Sequence, residues 1–174
     1  MIIDLKKAAR EPIQVHVRLD ESWWDIHGEA ESQILGVGET LRLELEIVSE
    51  EGKFTINGHM EGVLSLRCDR CLEAYPYTVD ADFVHRVCPS MPQEGREEIE
   101  LLDDDIVDFI DEYELNLDDF AIEQIFLSLP IKSICREDCS GLCPVCGTNL
   151  NLKECSCVRV SGHPGFSRLK DLKL

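Results

Sequence analysis

Cysteine is the residue type in this sequence best suited to chemistry, because nine of the 174 residues are cysteines and eight of them lie in close pairs. Cys143-Pro-Val-Cys146 is followed by Gly147, a pattern typical of a turn in which two thiolates bind one metal ion. The glycine permits the positive φ angle that such a turn needs. Cys155 and Cys157 supply two more thiolates after eight intervening residues. Together the four cysteines predict a closed, tetrahedral, structural zinc site.

Four of the remaining cysteines form two further pairs, which are Cys68 with Cys71 and Cys135 with Cys139. Their number suggests a second four-sulfur site, in which the earlier pair and the later pair bind one zinc ion. A competing scheme stays open, in which Cys135 or Cys139 joins Cys143 and Cys146 around a single metal ion. Iron is an alternative to zinc, since tetrahedral thiolate sets accept both metals. Cys88 is left single and is most simply a core or edge cysteine.

A redox dithiol of the thioredoxin type is another interpretation of Cys68-Asp-Arg-Cys71. Such a dithiol needs a helix N-terminus that lowers the pKa of one thiol, whereas the flanking residues here alternate as strands do. No serine–histidine–aspartate set, phosphate-binding loop or pair of catalytic carboxylates stands out in the sequence. Because each four-sulfur set would leave no open coordination position, we expect a protein that is not an enzyme.

Alternation of apolar and polar residues predicts the strands that position these cysteines. The alternating segments are residues 13–19, 41–47, 54–66 (as one or two strands) and 75–87. A turn is predicted at 49–52, and Cys68-Asp-Arg-Cys71 interrupts the pattern in a way that places it at the tip of a hairpin. The order of these segments indicates an antiparallel meander.

One helix is predicted over residues 116–129, with Asn116 as its N-cap and Pro130 after its last turn. Its apolar positions follow helical spacing and are Leu117, Ala121, Ile122, Ile125, Phe126 and Leu129. Three shorter predicted features are an exposed loop at 89–98, a short strand at 106–115 and a terminal helix at 166–172. We expect the core helix to pack on the sheet.

These elements predict an α+β fold, with an antiparallel β-sheet or partly open barrel, one core helix and a C-terminal cysteine-rich zinc-binding module. The predicted domains are residues 1–131, an antiparallel β domain with one helix, and residues 132–174, the zinc-binding module. The sequence has no run of eighteen apolar residues and no apolar secretory signal at Met1. A cytoplasmic protein without membrane contact is therefore expected.

Charge is spread unevenly along the chain, whose formal net charge is −18. Residues 94–119 contain 13 acidic residues and one arginine, whereas residues 132–174 contain 7 basic and 4 acidic residues. An acidic body repels a phosphate backbone and attracts a basic partner. Any direct RNA contact is therefore expected from the zinc-binding module, through Arg136, Lys153, Arg159, Arg168, Lys170 and Lys173.

Three stretches carry a family resemblance: Cys68-Asp-Arg-Cys71-Leu72 after a strand, the helix end at Leu129-Pro130, and the block from Cys135 to Asn151. Together they resemble the YceD-type large ribosomal RNA subunit accumulation proteins of bacteria. The resemblance runs from about the first strand to the tail at 166–172, and the cysteine block is its most specific part. His163 departs from the acidic residue that is usual before the proline at this place in the family.

The resemblance implies a role in the accumulation of large-subunit ribosomal RNA, and hence in ribosome assembly, without known catalytic residues. It implies eight motif cysteines, which are Cys68, Cys71, Cys135, Cys139, Cys143, Cys146, Cys155 and Cys157. The expected partners are large-subunit ribosomal RNA or its precursor, a basic ribosomal protein, or both. The sequence makes no prediction of the oligomeric state.

Two other functions fit the same cysteine pattern. A redox-sensing zinc chaperone would use the paired thiolates to release zinc when they are oxidised to disulfides. A zinc-ribbon subunit of a transcription complex would co-purify with a polymerase rather than with ribosomal precursors.

Overall fold

Strands outnumber helices in the computed structural model, which describes residues 1–28, 33–50, 52–89, 108–110 and 113–157. Within these ranges the α+β fold has two open sheets and two α-helices. The elements in chain order are β1 (Ile2–Asp4), a 3-10 helix (Leu5–Ala9), β2 (Ile13–Leu19), α1 (Glu21–His27), β3 (Ile34–Glu50), β4 (Lys53–Arg67), β5 (Ala74–Pro89), β6 (Asp108–Ile110), β7 (Glu114–Asn116) and α2 (Leu117–Leu127).

The four long strands β2 to β5 form an antiparallel meander, in which each strand pairs with the next along the chain. Successive side chains of a strand point to opposite faces, so the alternating pattern places every second residue in the core. In β3 the apolar set Leu41, Leu43, Leu45 and Ile47 is at most 1% exposed, whereas the residues between them are exposed. The predicted meander is confirmed, and the predicted segment at 54–66 lies in one strand, β4.

The large sheet is open, with the strand order β2-β3-β4-β5-β6, rather than closed into a barrel. Its last strand, β6, runs parallel to β5, while β1 and β7 form a separate antiparallel pair. The single strand predicted at 106–115 is therefore two three-residue strands in different sheets. Tyr113 has a φ of 63° just before β7, so an extended path does not continue through it.

Helix α2 packs on the core face of the sheet, where the rings of Phe120 and Phe83 lie 5.9 Å apart between centroids. The side chain of Asn116 caps the helix by accepting a hydrogen bond from a backbone N–H two residues later. Five of the six predicted apolar positions are buried or pack against the core, namely Leu117, Ala121, Ile125, Phe126 and Leu129. Phe120 and Gln124 are buried as well, whereas Ile122 is only partly buried. The spacing of apolar residues cannot predict that a polar residue such as Gln124 lies on the buried side of the helix.

Helix α1 was not predicted from the sequence. Asp20 caps it by accepting a hydrogen bond from the N–H of Trp23 at 3.1 Å, and Glu21 lies in its first turn. Trp24 is 6% exposed in the core, and the indole N–H of Trp23 donates to Asp118 on α2 at 2.9 Å. Seven residues are too few to display a helical period, although the acidic start is a helix signal.

The turn between β4 and β5 positions the first cysteine pair, because β4 ends at Arg67 and β5 begins at Ala74. The predicted hairpin tip is confirmed there. Residues 128–157 contain no helix or strand apart from an isolated antiparallel bridge between Leu142 and Asn149. The predicted loop beyond Pro89 and the predicted terminal helix lie outside the described residues.

The boundary predicted between residues 131 and 132 stays a prediction. No helix in the described part of the chain has the length and apolar character needed to cross a bilayer.

Candidate metal centres

The structure gathers the eight predicted cysteines into two separate four-sulfur groups. The clamp site consists of Cys68, Cys71, Cys135 and Cys139, and the local site consists of Cys143, Cys146, Cys155 and Cys157. Within each group the sulfur atoms all lie within 4.8 Å of one another, so each group could hold a metal ion. Of the two schemes that the sequence left open, this arrangement corresponds to the one with two four-sulfur sites.

The turn that begins the local site has the backbone hydrogen-bond pattern of a metal-binding knuckle. The N–H of Gly147 donates to the carbonyl of Cys143 at 2.9 Å, and the N–H of Cys143 donates to the carbonyl of Thr148 at 2.8 Å. Gly147 has a φ of 72°, which confirms the predicted positive angle. This path brings Cys143 and Cys146 to the same side of the turn.

The turn between β4 and β5 repeats the same backbone pattern. The N–H of Leu72 donates to the carbonyl of Cys68 at 2.9 Å, and the N–H of Cys68 donates to the carbonyl of Glu73 at 2.9 Å. Leu72 takes the place of the glycine and has a φ of 62°, with its side chain 58% exposed. The sequence pattern predicts a hairpin tip here but not a second knuckle, because the segment has no glycine after its second cysteine.

The sulfur spacing in the clamp site fits a bound metal ion. Cys68 Sγ lies 3.9 Å from Cys139 Sγ, and Cys71 Sγ lies 3.8 Å from Cys135 Sγ. A tetrahedral ion with metal–sulfur bonds of about 2.3 Å separates its ligands by about 3.8 Å. A disulfide would need about 2.05 Å. The four sulfurs therefore have the spacing of ligands around a common centre.

In each four-sulfur group the pKa of one thiol is lowered and the pKa of another is raised. Burial raises the pKa of Cys68, but N–H donors led by that of Cys135 outweigh it and bring the value to about 6. Burial and the neighbouring sulfurs raise the pKa of Cys135 to about 12. In the local site the side chain of Thr148 lowers the pKa of Cys146 to about 6, whereas Cys146 raises that of Cys157 to about 12. Four crowded thiolates repel one another, and a metal cation removes that repulsion.

Hydrogen bonds fasten the segment after α2 to the turn between β4 and β5. The N–H of Asp69 donates to the carbonyl of Ser133 at 2.7 Å, and the N–H of Ser133 donates to Asp69 Oδ2 at 2.8 Å. Arg70 Nη1 donates to the carbonyls of Glu137 at 3.2 Å and Cys139 at 3.1 Å. The clamp site therefore lies at a contact that main-chain and side-chain hydrogen bonds also hold.

Gly141 allows the closest approach in this contact. It has a φ of 70°, and a Cβ at this position would lie 3.0 Å from the carbonyl oxygen of Arg70. That same oxygen accepts a hydrogen bond from the N–H of Leu142 at 3.0 Å. A larger residue would push the cysteine-rich segment away from the sheet tip.

The two sites differ in their exposure to solvent. In the clamp site Cys68 is fully buried and Cys71 and Cys139 are 4% exposed. In the local site Cys143 is 2% exposed, but Cys146 is exposed and the other two cysteines are half-buried. Solvent therefore reaches the local site more easily.

Several supporting residues were missed by the sequence analysis. Asp69 and Arg70 make the contacts described above, and Asn151 Nδ2 donates to Cys139 Sγ at 3.4 Å. The only signal in the sequence was that both residues between Cys68 and Cys71 are charged. Cys88 is partly buried on β5 and belongs to neither group.

The described part of the cysteine-rich segment has no excess of positive charge. Residues 132–157 contain three basic and three acidic residues, so the basic surplus predicted for the module lies in 158–174, outside the described residues. Arg136 is also engaged, since it donates to Asn151 Oδ1 at 2.9 Å and pairs with Asp138 at 3.3 Å. Lys132 and Lys153 are the other two cations.

Comparison with known proteins points to one family. The family model described as large ribosomal RNA subunit accumulation protein YceD matches residues 56–173, which include all eight clustered cysteines and more than half of the chain. A large ribosomal RNA subunit accumulation protein of Arabidopsis thaliana, the chloroplastic YCED homolog 1, is 23% identical over 162 residues, covering 78% of this chain and 49% of the relative.

Two further relatives extend the comparison. The corresponding chloroplastic homolog of Zea mays is 24% identical over 153 residues, covering 74% of this chain and 52% of its own length. An uncharacterized protein of Mycobacterium tuberculosis strain H37Rv is 30% identical over 115 residues, covering 65% of this chain and 53% of its own. The chain thus spans about half the length of the curated relatives it matches. No solved structure matches it.

Proposed function

This chain belongs to the YceD family of large ribosomal RNA subunit accumulation proteins, and from that premise we propose that it supports accumulation of large-subunit ribosomal RNA as a non-catalytic factor in ribosome assembly. The observation that carries the proposal is the pair of four-sulfur groups, one of which joins the cysteine-rich segment to the sheet tip. Chloroplastic relatives have the accumulation role in their names. The factor would act as a rigid binding platform.

Zinc is the metal that we propose for both groups. The sulfur distances of 3.8 Å and 3.9 Å in the clamp site fit a tetrahedral zinc–thiolate centre. Iron shares this geometry, so elemental analysis and the visible spectrum of the purified protein decide between them. Two zinc equivalents and a colourless protein are the expected result, and an iron–thiolate absorption band would contradict it.

The donor sets support a structural role for the metals. Four thiolates occupy all four positions of a tetrahedral ion, whereas a catalytic zinc site keeps one position for water or substrate. The chain's own residues would hold the metal, and the metal would supply a fixed geometry between the sheet and the cysteine-rich segment. Turnover of any substrate by the purified protein would contradict this part of the proposal.

A basic ribosomal protein is the partner that we favour, because the chain carries a net charge of −18 and the described cysteine-rich segment is neutral. Direct RNA contact would depend on the basic residues of 158–174, together with Lys132 and Lys153. Binding of ribosomal RNA fragments and of individual ribosomal proteins, measured over a salt series, separates the two routes. Tight RNA binding with a steep salt dependence, and no protein binding, would favour RNA.

Depletion of the protein tests the role as a whole. We expect loss of mature large-subunit ribosomal RNA and a rise in precursor particles, with the small subunit unaffected at first. Re-expression of the wild-type chain should restore the profile, whereas Cys139→Ser should not. Cys88→Ser is the matched control, since Cys88 belongs to neither group. Unchanged large-subunit levels after depletion would overturn the proposal.

A redox-sensing zinc chaperone is a second candidate function, favoured by one observation. Cys146 is exposed, and Cys155 and Cys157 are half-buried, so an oxidant in solution can reach the local site. Peroxide would then release zinc and turn on the capacity to hold unfolded proteins. Retention of zinc under peroxide, or release without holding activity, would contradict this candidate.

A further inference from the structure

Strand β2 is an edge strand whose outer side has no strand partner among the described residues. Among the described residues it pairs only with β3. The register is unbroken, from the pair of Ile13 with Ile47 to the pair of Leu19 with Leu41. Apart from the bonds of this sheet, no backbone hydrogen bond to a β2 residue occurs in the described ranges. Alternate residues of such a strand direct N–H and carbonyl groups outward, where another extended chain can pair with them.

The side chains of β2 are also incompletely covered on the core face. Ile13, Val15 and Val17 are half-buried, whereas their partners on β3, such as Leu43 and Leu45, are at most 1% exposed. A neighbouring strand on the outer side would bring its own apolar side chains against these three residues. An added strand must therefore carry apolar side chains on the core face of the sheet.

The opposite side of the sheet is protected in ways that β2 is not. Strand β5 contains Pro76, which lacks an N–H, and acidic residues at Asp80 and Asp82. Tyr77 also reaches across to the segment after α2, where its hydroxyl donates to the carbonyl of Ser128 at 3.1 Å. Proline, charge and covering segments are common means of blocking strand addition at an edge. Strand β2 has no proline and no bulge, and its one permanently charged residue is Arg18, next to its last residue.

Charge identifies the kind of chain that fits the solvent face of this edge. Gln14 Nε2 donates to Glu46 Oε1 at 2.8 Å, and His16 Nδ1 lies 3.5 Å from Glu44 Oε1. Lysine or arginine side chains placed opposite Gln14 and His16 would reach these carboxylates on β3. Arg18 at the other end of the strand favours a neutral residue opposite it.

We propose that the outer edge of β2 binds an extended basic segment of a partner protein as an added strand. The segment alternates apolar residues, which cover Ile13, Val15 and Val17, with basic residues opposite Gln14 and His16. This inference deepens the proposed function and rests on it for the class of the partner. The recognition itself rests on the strand edge and the charges of the sheet.

Hydrogen exchange of the metal-loaded, full-length protein tests the proposal with synthetic peptides. The probe is a capped peptide in which valine alternates with lysine, with threonine in place of the lysine that would lie opposite Arg18. One control peptide replaces lysine with glutamate, and another has N-methyl groups along one edge, which removes backbone pairing but keeps the side chains. We expect slowed amide exchange confined to residues 13–19, stronger binding at low salt, and binding of the N-methylated peptide at least about tenfold weaker.

Two variants distinguish binding at the edge of β2 from general electrostatic attraction to the acidic chain. Glu44→Lys removes the carboxylate beside His16 and should weaken binding of the lysine peptide several-fold. Asp82→Lys makes the same change of charge in the same cross-strand row, but two strands further from β2. It should have a much smaller effect.

Four results would overturn the proposal: no binding, equal binding of the N-methylated peptide, protection at β5 instead of β2, or protection of β2 by a second copy of this chain in a concentration-dependent dimer. Each of them is independent of the depletion experiment. A negative result for strand addition at β2 therefore remains distinguishable from a negative result for the role in ribosomal RNA accumulation.

Discussion

The clamp site and the local site are built from the same knuckle turn but join very different parts of the chain. In the clamp site, Cys71 and Cys135 are 64 residues apart and their sulfurs lie 3.8 Å from each other. The local site draws all four ligands from residues 143–157. A metal ion bound in the same way would therefore fix tertiary structure in one case and the shape of a single loop in the other.

The contrast in burial follows from this difference. A long-range site lies between two packed parts of the molecule, which cover its sulfurs, whereas a short loop has no second part to cover it. Cys68 is fully buried and Cys146 is exposed. We therefore expect loss of the clamp metal to separate the cysteine-rich segment from the sheet, and loss of the local metal to unravel only the loop.

The largest expected effect is that of Cys139→Ser in the clamp site. A structural zinc site contributes apparent binding free energy of about 10–16 kcal/mol at neutral pH, comparable to the whole stability of a domain, which is about 5–15 kcal/mol. The variant should contain one metal equivalent fewer, and proteolysis should cleave within residues 133–142, while the sheet and the loop of the local site stay resistant. Elemental analysis and mass spectrometry of the fragments measure both quantities.

Cys88→Ser serves as the control and should keep both metals. A strong chelator removes both metals without changing the sequence, so it should make all of residues 133–157 sensitive to protease. Unchanged protease resistance of residues 133–157 after verified metal loss would show that the hydrogen bonds of Asp69 and Arg70 suffice without the metal.

Cys155→Ser in the local site should have a smaller effect. One metal equivalent is again lost, but protease sensitivity should be confined to residues 143–157, because the bonds between Asp69 and Ser133 are independent of this site. Limited proteolysis read by mass spectrometry distinguishes the two patterns. If both variants gave the same cleavage map, the two sites would form one cooperative unit, which would contradict their independent structural roles.

Gly141→Ala should weaken the clamp contact without removing a ligand. The positive φ costs about 1–2 kcal/mol for a residue with a Cβ, and crowding against the carbonyl of Arg70 adds about 1–3 kcal/mol. Gly52→Ala is the matched control, since Gly52 also has a positive φ, of 81°, but nothing lies within 4 Å of the added Cβ. Denaturant unfolding measures the difference, and equal losses would contradict the close approach.

Acidification should release the metal from the local site at a higher pH than from the clamp site, because Cys146 is exposed to solvent whereas Cys68 is fully buried in a contact that hydrogen bonds also hold. The pKa values of Cys68 and Cys146 are lowered from 9.0 to about 6, so the thiolates stabilise the folded state above that range. The stabilisation is lost as the pH falls through about 6, because protons then compete with the metal. A colorimetric zinc indicator followed over pH measures the release.

Two release steps are expected, and Cys155→Ser should abolish the one at higher pH. A single step for the wild-type protein would contradict any difference between the two sites, and loss of the lower-pH step in Cys155→Ser would reverse their ranking.

Local patterns in the sequence were sufficient to predict the meander and the grouping of the four cysteines in the local site. The alternation of Leu41 to Ile47 reports burial directly, because a strand has a period of two. Cys143, Cys146 and Gly147 lie so close along the chain that their spacing alone defines a turn. Both predictions needed no information about distant residues.

Long-range contacts and short elements were harder to predict. The clamp site could be proposed only by counting cysteines, since no local pattern links Cys68 to Cys139 across 71 residues. Helix α1 is too short to show a period, and Gln124 is a polar residue on a buried helix side. In each case the packing of the whole molecule decides what the local pattern leaves open.

The long separation of the clamp ligands has a consequence for synthesis of the chain. Cys71 leaves the ribosome 64 residues before Cys135, which corresponds to a wait of about 3–13 seconds at about 5–20 residues per second. During that interval the clamp site has only the two sulfurs of the first knuckle, so the four-sulfur group is incomplete. The clamp site can form only after the second pair of sulfurs has been made, and a chain interrupted before Cys135 keeps an open, reactive thiol pair at its tip.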